Sequence, residues 1–359
     1  MKDYLILVIN PGSTSTKVAL YLNDKHIKEK TLRHSIKDLS PYNTIIDQLD
    51  FRKEVILEFL ESQDYHLSQI DVFVGRGGMM KPLKNGGTYR VTSDMIDDLK
   101  YLRYGSHASN LGALLADEFA SKYDKPAFIV NPVCIDEFED IARISGQKLI
   151  KRRSLFHALN QKAIAMRFAD EIKKPYDKIN VIVAHLGGGI SVGLHKQGRV
   201  VDCNNALGGD GPFSPERTGT IPTYPLVDIC FSGDYTKEEV KKLLVGGGGL
   251  ASYLGTTDAR EVENMVLDGD SEAKLVYEAM AYNVIKEIGA MYFVCKGNID
   301  GILITGGIAY SKYFINYLKE HIDPVLPIKV YPGEGEMRAL VEGALRVMNS
   351  IEEARIYSD

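Results

Sequence analysis

In the stretch Asn10-Pro11-Gly12-Ser13-Thr14-Ser15-Thr16-Lys17 the chain leaves an apolar run and fills eight positions with turn formers, hydroxyls and one lysine. Apolar residues occupy 4–9 before it and 18–22 after it, so the local reading is strand, tight turn, strand, and residues 26–32 add a third strand. Such a turn exposes main-chain amides. The hydroxyls of Ser13 and Ser15 and the ammonium of Lys17 add donors, and together these suit phosphate oxygens. The plain alternative is a hairpin turn, which Pro11-Gly12 alone would support.

The same plan returns in the second half. Residues 181–184 are apolar, 186–190 are glycine-rich, 191–195 resume a strand and 198–202 supply another. Gly187, Gly188 and Gly189 leave three positions without side chains, which lets a polyphosphate approach the main chain; the bland alternative is a bulged hairpin. A third glycine corner, Gly306-Gly307, follows the apolar run 301–305 and suits the nucleoside end of a ligand. Helical periodicity fills intervals such as 51–62, 110–122 and 155–172, so strands alternate with helices and the expected class is α/β, built from two halves of one duplicated fold. The basic run Lys151-Arg152-Arg153 marks the expected domain change, giving residues 1–152 and 153–335. Pro324, Pro327 and Pro332 precede a final helix with the apolar stripe Met337, Leu340, Val341, Ala344, Leu345, Met348, so residues 336–359 are expected to rejoin the first domain.

Composition narrows the function. With 359 residues the chain is long enough for two cores, and two domains imply a cleft. Its 45% hydrophobic and 25% charged residues are those of an ordinary globular protein, with no membrane-length apolar run. The absence of a leader-like segment before residue 4 makes the cytoplasm the expected location. The four cysteines are far apart, which gives no zinc or redox pair, and a formal charge of -5 offers no general attraction for nucleic acid or an anionic membrane. No GxxxxGK[ST], GxGxxG, HRD or DFG run occurs, so P-loop, Rossmann and protein-kinase readings have no sequence support.

The order NPGSTSTK (10–17), VGRGG (74–78), NPVCIDEF (131–138), SLFHALNQK (154–162), HLGGGIS (185–191), SPERTGT (214–220), LGTTDARE (254–261) and ITGGIA (304–309) resembles the butyrate kinase branch of the acetate kinase family, within the actin, sugar kinase and Hsp70 superfamily. The resemblance spans nearly the whole chain. It implies two ribonuclease H-like domains in a duplicated actin-like ATPase fold with a central nucleotide cleft, ATP and Mg2+ as cofactors, a short-chain carboxylic acid as acceptor, and a homo-oligomer. By the same resemblance Asn10, Ser13, Ser15 and Lys17 form one phosphate site and Gly187, Gly188 and Gly189 a second. Asp258, Arg260, Gly306 and Gly307 would then flank the adenosine, and Asn10, Asp136 and Glu336 lie near the metal. Position 188 departs from the family pattern, because acetate kinases carry an asparagine between two glycines there.

A carboxylate acceptor is already ionised at neutral pH, so the reaction needs no general base to create its nucleophile. The difficulty is anion meeting anion, and cations must neutralise both partners and spread charge over the transferring group. The resemblance gives that work to Arg217 and His157, with Asp136 orienting the metal, while Arg76 is suited to hold the acceptor carboxylate through its planar fork. Outside their motifs these residues have ordinary alternatives: a solvated Glu216–Arg217 pair, a capping or core His157, and an Asp136 that faces water. Gly246–Gly249 is open between a hinge, a nucleotide-side turn and a plain loop. Two rivals accompany the butyrate reading, an acetate or propionate kinase and a non-catalytic ATP switch on the same fold. The FHALNQK segment, where acetate kinases tend to show HGTSH, favours the butyrate branch.

Overall fold

The computed structural model describes residues 2–322 and 326–357; Pro324 lies outside the described residues. The chain divides into two compact units, one made of the residues up to Ile135 together with those from Gly335 on, the other of Asp136–Glu334. The segment 136–152 thus groups with the second unit, although the basic run at 151–153 had suggested a later change. The reason is local bonding, since Glu139 N donates to Val201 O and Glu137 Oε2 accepts from Val200 N.

The first unit is built on a six-stranded sheet. Its strands are β1 (Leu5–Pro11), β2 (Ser15–Leu22), β3 (Lys25–Arg33), β4 (Val72–Arg76), β5 (Thr88–Arg90) and β6 (Ala127–Val130), in the order β3-β2-β1-β4-β6-β5. β1, β2 and β3 form an antiparallel meander, and β4 and β6 continue parallel to β1. Alternation along β1 serves both faces: Leu7 and Ile9 join the core with Phe73, Phe59 and Phe119 under helices Leu49–Glu61 and Asn110–Ser121. On this sheet the terminal helix Glu336–Met348 packs against β1, β4 and β6, which returns the end of the chain to the first unit.

The second unit repeats the plan. Strands β7 (Asn180–Leu186), β8 (Ile190–Lys196), β9 (Arg199–Cys203), β10 (Gly301–Gly306) and β11 (Ile328–Pro332) lie in the order β11-β10-β7-β8-β9. Read from the other edge this is the meander of three followed by two parallel strands, the same succession as β3-β2-β1-β4-β6. The duplicated, two-domain α/β fold expected from the sequence is therefore present. One face of the sheet is covered by helix Ser271–Val294 through Tyr277, Met280 and Val284, and the other by helix Ala158–Glu171 through Ala165 and Phe168. Parallel strands that share a direction end at one sheet edge, and loops that leave that edge are where ligands meet open α/β sheets. In each unit the glycine turns leave from it.

Candidate active site

In the first unit the hairpin register sets Asn10 opposite Lys17, so both side chains lie on one face. Arg76 ends the neighbouring parallel strand β4, which carries it to the same edge as Asn10. The approach of β4 to helix Asn110–Ser121 requires glycine on both sides, because a Cβ on Gly75 would lie 2.1 Å from Gly112 O. Arg76 Nη1 donates to Glu336 Oε2 at 2.8 Å and to Asn10 Oδ1 at 3.3 Å, while Asn10 Nδ2 donates to the same Glu336 oxygen at 2.8 Å. Glu336 opens the terminal helix, where the helix dipole favours a carboxylate. Three residues far apart in sequence thus meet, and Arg76 is already holding a carboxylate. Ser13 is exposed and Ser15 half-buried at the tip of the turn, and Lys17 faces Glu29 across the meander at 3.8 Å.

In the second unit the loop 187–189 leaves β7 and Gly306-Gly307 leaves β10, its parallel neighbour. Arg217 lies against the first of these loops. Its Nη1 donates to Ala206 O at 2.9 Å, its Nη2 pairs with Glu216 at 3.2 Å, and its buried Nε has no hydrogen-bond partner among the described residues. Burial pulls the guanidinium below its ordinary pKa, and the Glu216 charge opposes the shift only in part. A Cβ on Gly189 would sit 1.7 Å from Arg217 Nη1, so the absent side chain at 189 is the space the guanidinium uses. Ser214 Oγ donates to Gly188 O at 2.6 Å and ties the arginine segment to the glycine loop a second time.

Gly246–Gly249, open on sequence grounds, braces this segment from behind. Gly246 N donates to Glu216 O at 2.7 Å, Leu250 N to Ser214 O at 3.3 Å and Thr218 N to Leu244 O at 3.1 Å. Gly249 has φ +62° and so close an approach that a Cβ would meet Ser214 O at 1.6 Å, so only glycine fits.

His157 precedes helix Ala158–Glu171 but does not cap it through its side chain. It stacks on His185 with ring centroids 3.8 Å apart, and its Nδ1 is 2.8 Å from Ser191 Oγ. His185 Nδ1 in turn is 2.8 Å from Asn160 Oδ1, and Asn160 Nδ2 reaches Glu334 O. Gln161 continues the network beneath, donating to Ser191 Oγ at 2.7 Å and meeting His195 Nε2 at 3.1 Å. Asp136 is engaged by Arg143 at 2.5 Å and accepts weakly from Phe138 N. The next residue, Glu137, is buried and pairs with Lys162 Nζ at 2.8 Å, which anchors the irregular segment that carries Asp136. Asp258 caps helix Ala259–Leu267 and forks onto Arg260 at 2.9 and 2.6 Å; that hydrogen bonding holds its carboxyl down to about 2, and both side chains are exposed.

Asn10 Oδ1 and the Glu336 carboxylate are hard oxygen donors of the kind a divalent cation prefers, and Asp136 offers the same chemistry in the second unit. Among the described residues no group of three or more His, Cys, Asp or Glu is arranged to hold a metal ion.

Sequence reading gave no role to Ser214, Asn160 or His185 and left Gly246–Gly249 open. Only the repetition of strand, glycine and polar residue hinted at His185, which matches the position of Asn10 at the end of the homologous strand β7.

Residues 140–322 match the model of the Acetokinase family. The fold is similar to the acetate kinase of Porphyromonas gingivalis (TM-score 0.76, 17% identity, 97% of this chain and 100% of that one covered). It is also similar to a propionate kinase of Francisella tularensis subsp. tularensis (0.75, 20%, 94% and 98%) and to the acetate kinase of Entamoeba histolytica (0.73, 15%, 94% and 98%). With a family match over 183 residues, half of the chain, on a duplicated fold of this kind, this protein belongs to the acetokinase family of carboxylate-acceptor kinases.

Proposed function

We propose that the chain is a short-chain fatty acid kinase of the butyrate kinase type, converting butanoate and ATP reversibly into butanoyl phosphate and ADP. The observation that carries the reading is Arg217, a half-buried guanidinium seated in the space left by Gly189, whose Nε–H has no partner among the described residues. A cation so placed on a glycine loop is suited to charge that builds on a transferring phosphoryl group.

In this reading a carboxylate oxygen attacks the γ-phosphorus, the bond from phosphorus to the bridging oxygen breaks, and ADP leaves with that electron pair. The first unit acts as the acyl-substrate and phosphate domain: Arg76 orients the acid, while Asn10, Ser13, Ser15 and Lys17 take phosphate oxygens. The second acts as the nucleotide-binding domain, with Gly187, Gly188 and Gly189 on the phosphates and Asp258, Arg260, Gly306 and Gly307 near the adenosine. Arg217 and His157 neutralise the moving charge; the stacked His185 and Ser191 fix the imidazole of His157. Asn10, Asp136 and Glu336 would hold Mg2+, whose contribution is to offset the charge of the polyphosphate. A homo-oligomer is part of the proposal, supported by helix Thr223–Phe231, which buries none of its residues and leaves Tyr224 and Phe231 each 86% exposed. No helix among the described residues is long and apolar enough to cross a membrane, and the proposed site of action is the cytoplasm.

The test is a hydroxamate assay with Mg-ATP and acids from acetate to valerate. The expected result is acyl hydroxamate with the highest kcat/KM on a four-carbon acid. No product with any acid refutes the kinase reading, and a maximum at acetate replaces it with an acetate kinase.

A further inference from the structure

Arg52 is the largest of the fully buried side chains, with 0% of its surface exposed, and burial alone pulls its pKa down to about 10. It therefore remains charged at neutral pH. An isolated charge is costly to bury unless it is hydrogen-bonded and compensated. Its hydrogen bonds are complete: Nε and Nη2 donate to Gln48 Oε1 at 3.1 and 2.9 Å, Nη1 to Ser15 O at 2.9 Å and Thr16 Oγ1 at 3.1 Å, and Nη2 to Ser13 O at 3.2 Å. Every one of these acceptors is neutral. Among the described residues no carboxylate pairs with it, and its field contributes to holding the adjacent His34 neutral.

Two of the acceptors are main-chain oxygens of the turn 10–17. In a trans peptide the C=O and the following N–H point opposite ways. Turning Ser13 O inward onto Arg52 therefore directs the Thr14 N–H to the outer side, where Ser13 and Thr14 are exposed. We propose that Arg52 is a positioning residue for the polyphosphate: it holds the Ser13 carbonyl inward, turns the Thr14 N–H outward, and sets a buried positive charge behind the bound anion. The compensating negative charge is the phosphate itself. This inference rests on the phosphate reading of that loop given above.

The experiment measures binding of inorganic pyrophosphate and, separately, of adenosine to the full chain by titration calorimetry, with KM for ATP and for butyrate, in wild type, Arg52→Gln and Arg52→Lys. Arg52→Gln is expected to weaken pyrophosphate binding and raise the ATP KM about tenfold, leaving adenosine affinity and butyrate KM within twofold. Arg52→Lys keeps the charge and loses the fork that spans two carbonyls, so its expected loss is two- to fivefold. A loss below threefold in folded Arg52→Gln, or an equal loss for adenosine, overturns the proposal. Should Arg52→Gln not fold, Arg52→Lys decides, and unchanged pyrophosphate affinity there overturns it. A wild-type protein that binds no pyrophosphate and no ATP refutes the kinase reading itself, whereas a wild type that binds both and variants that bind equally well refute only the role of Arg52.

Discussion

Replacing Gly189 by alanine puts a methyl group 1.7 Å from Arg217 Nη1, 3.0 Å from its Cζ and 3.1 Å from Ala206 O. The first distance is impossible, so the guanidinium has to swing away and give up its hydrogen bond to Ala206 O. The stability cost is that of mild overpacking, about 1–3 kcal/mol, toward the low end because the far end of a long side chain can yield. The catalytic cost is larger. Losing one preorganised charge-stabilising group typically lowers kcat by about 10²–10³, or roughly 3–4 kcal/mol of transition-state stabilisation. Gly208→Ala is the control, since it lies outside the proposed phosphate loop and its Cβ would find nothing closer than Asn205 Nδ2 at 3.8 Å, an ordinary contact. We expect Gly189→Ala to lose about a hundredfold in kcat with a modest fall in urea midpoint, and Gly208→Ala to stay within about threefold of wild type. Equal kcat in the two variants, whether both active or both dead, would refute the placement of Arg217 over position 189.

Arg76→Ala should raise the KM for the acid more than it lowers kcat, because it removes the guanidinium whose Nη1 now meets Glu336; initial rates over a butyrate series check this, and an unchanged KM contradicts it. Lys162→Met removes the cation from the buried Glu137 carboxylate and should cost about 3–5 kcal/mol in urea unfolding, with much of the loss recovered in the double variant Lys162→Met/Glu137→Gln. His34 is buried with a pKa lowered to about 4 by desolvation and the charge of Arg52. Between pH 6.5 and 4 the unfolded chain binds a proton that the folded one refuses, so stability is present above that window and falls as pH drops through it, by up to about 3 kcal/mol. Urea midpoints at pH 7 and pH 4.5 should therefore converge in His34→Asn relative to wild type.

The sequence revealed those features that rest on short-range physics. Strand, glycine turn and strand around Asn10–Lys17 and again around Gly187–Gly189 follow from alternation and turn chemistry, and both hairpins formed with the bounds shifted by only a few residues. The return of the last helix was legible from its apolar stripe. What long-range packing decides was not legible. Gly246–Gly249 stayed open between a hinge, a nucleotide-side turn and a plain loop because its role depends on Ser214 and Glu216, residues it meets only after folding. Arg52 would pass for a surface charge on an amphipathic helix, yet it sits one turn before the buried Ile56 and two before the buried Leu60, so its place on the inner stripe could have been read. The change of units near Ile135 was hidden because Glu137, beside Asp136 in a polar run, gives no local sign that its partner is Lys162.

The most direct test uses butyrate labelled with 18O in both carboxyl oxygens. Wild-type protein with Mg-ATP and this acid should give butanoyl phosphate whose 31P resonance carries the isotope shift of a labelled oxygen bridging carbon and phosphorus, because the carboxylate attacks phosphorus directly. Release of the γ-phosphate as inorganic phosphate, with no labelled acyl phosphate at any time, would contradict direct transfer to the carboxylate.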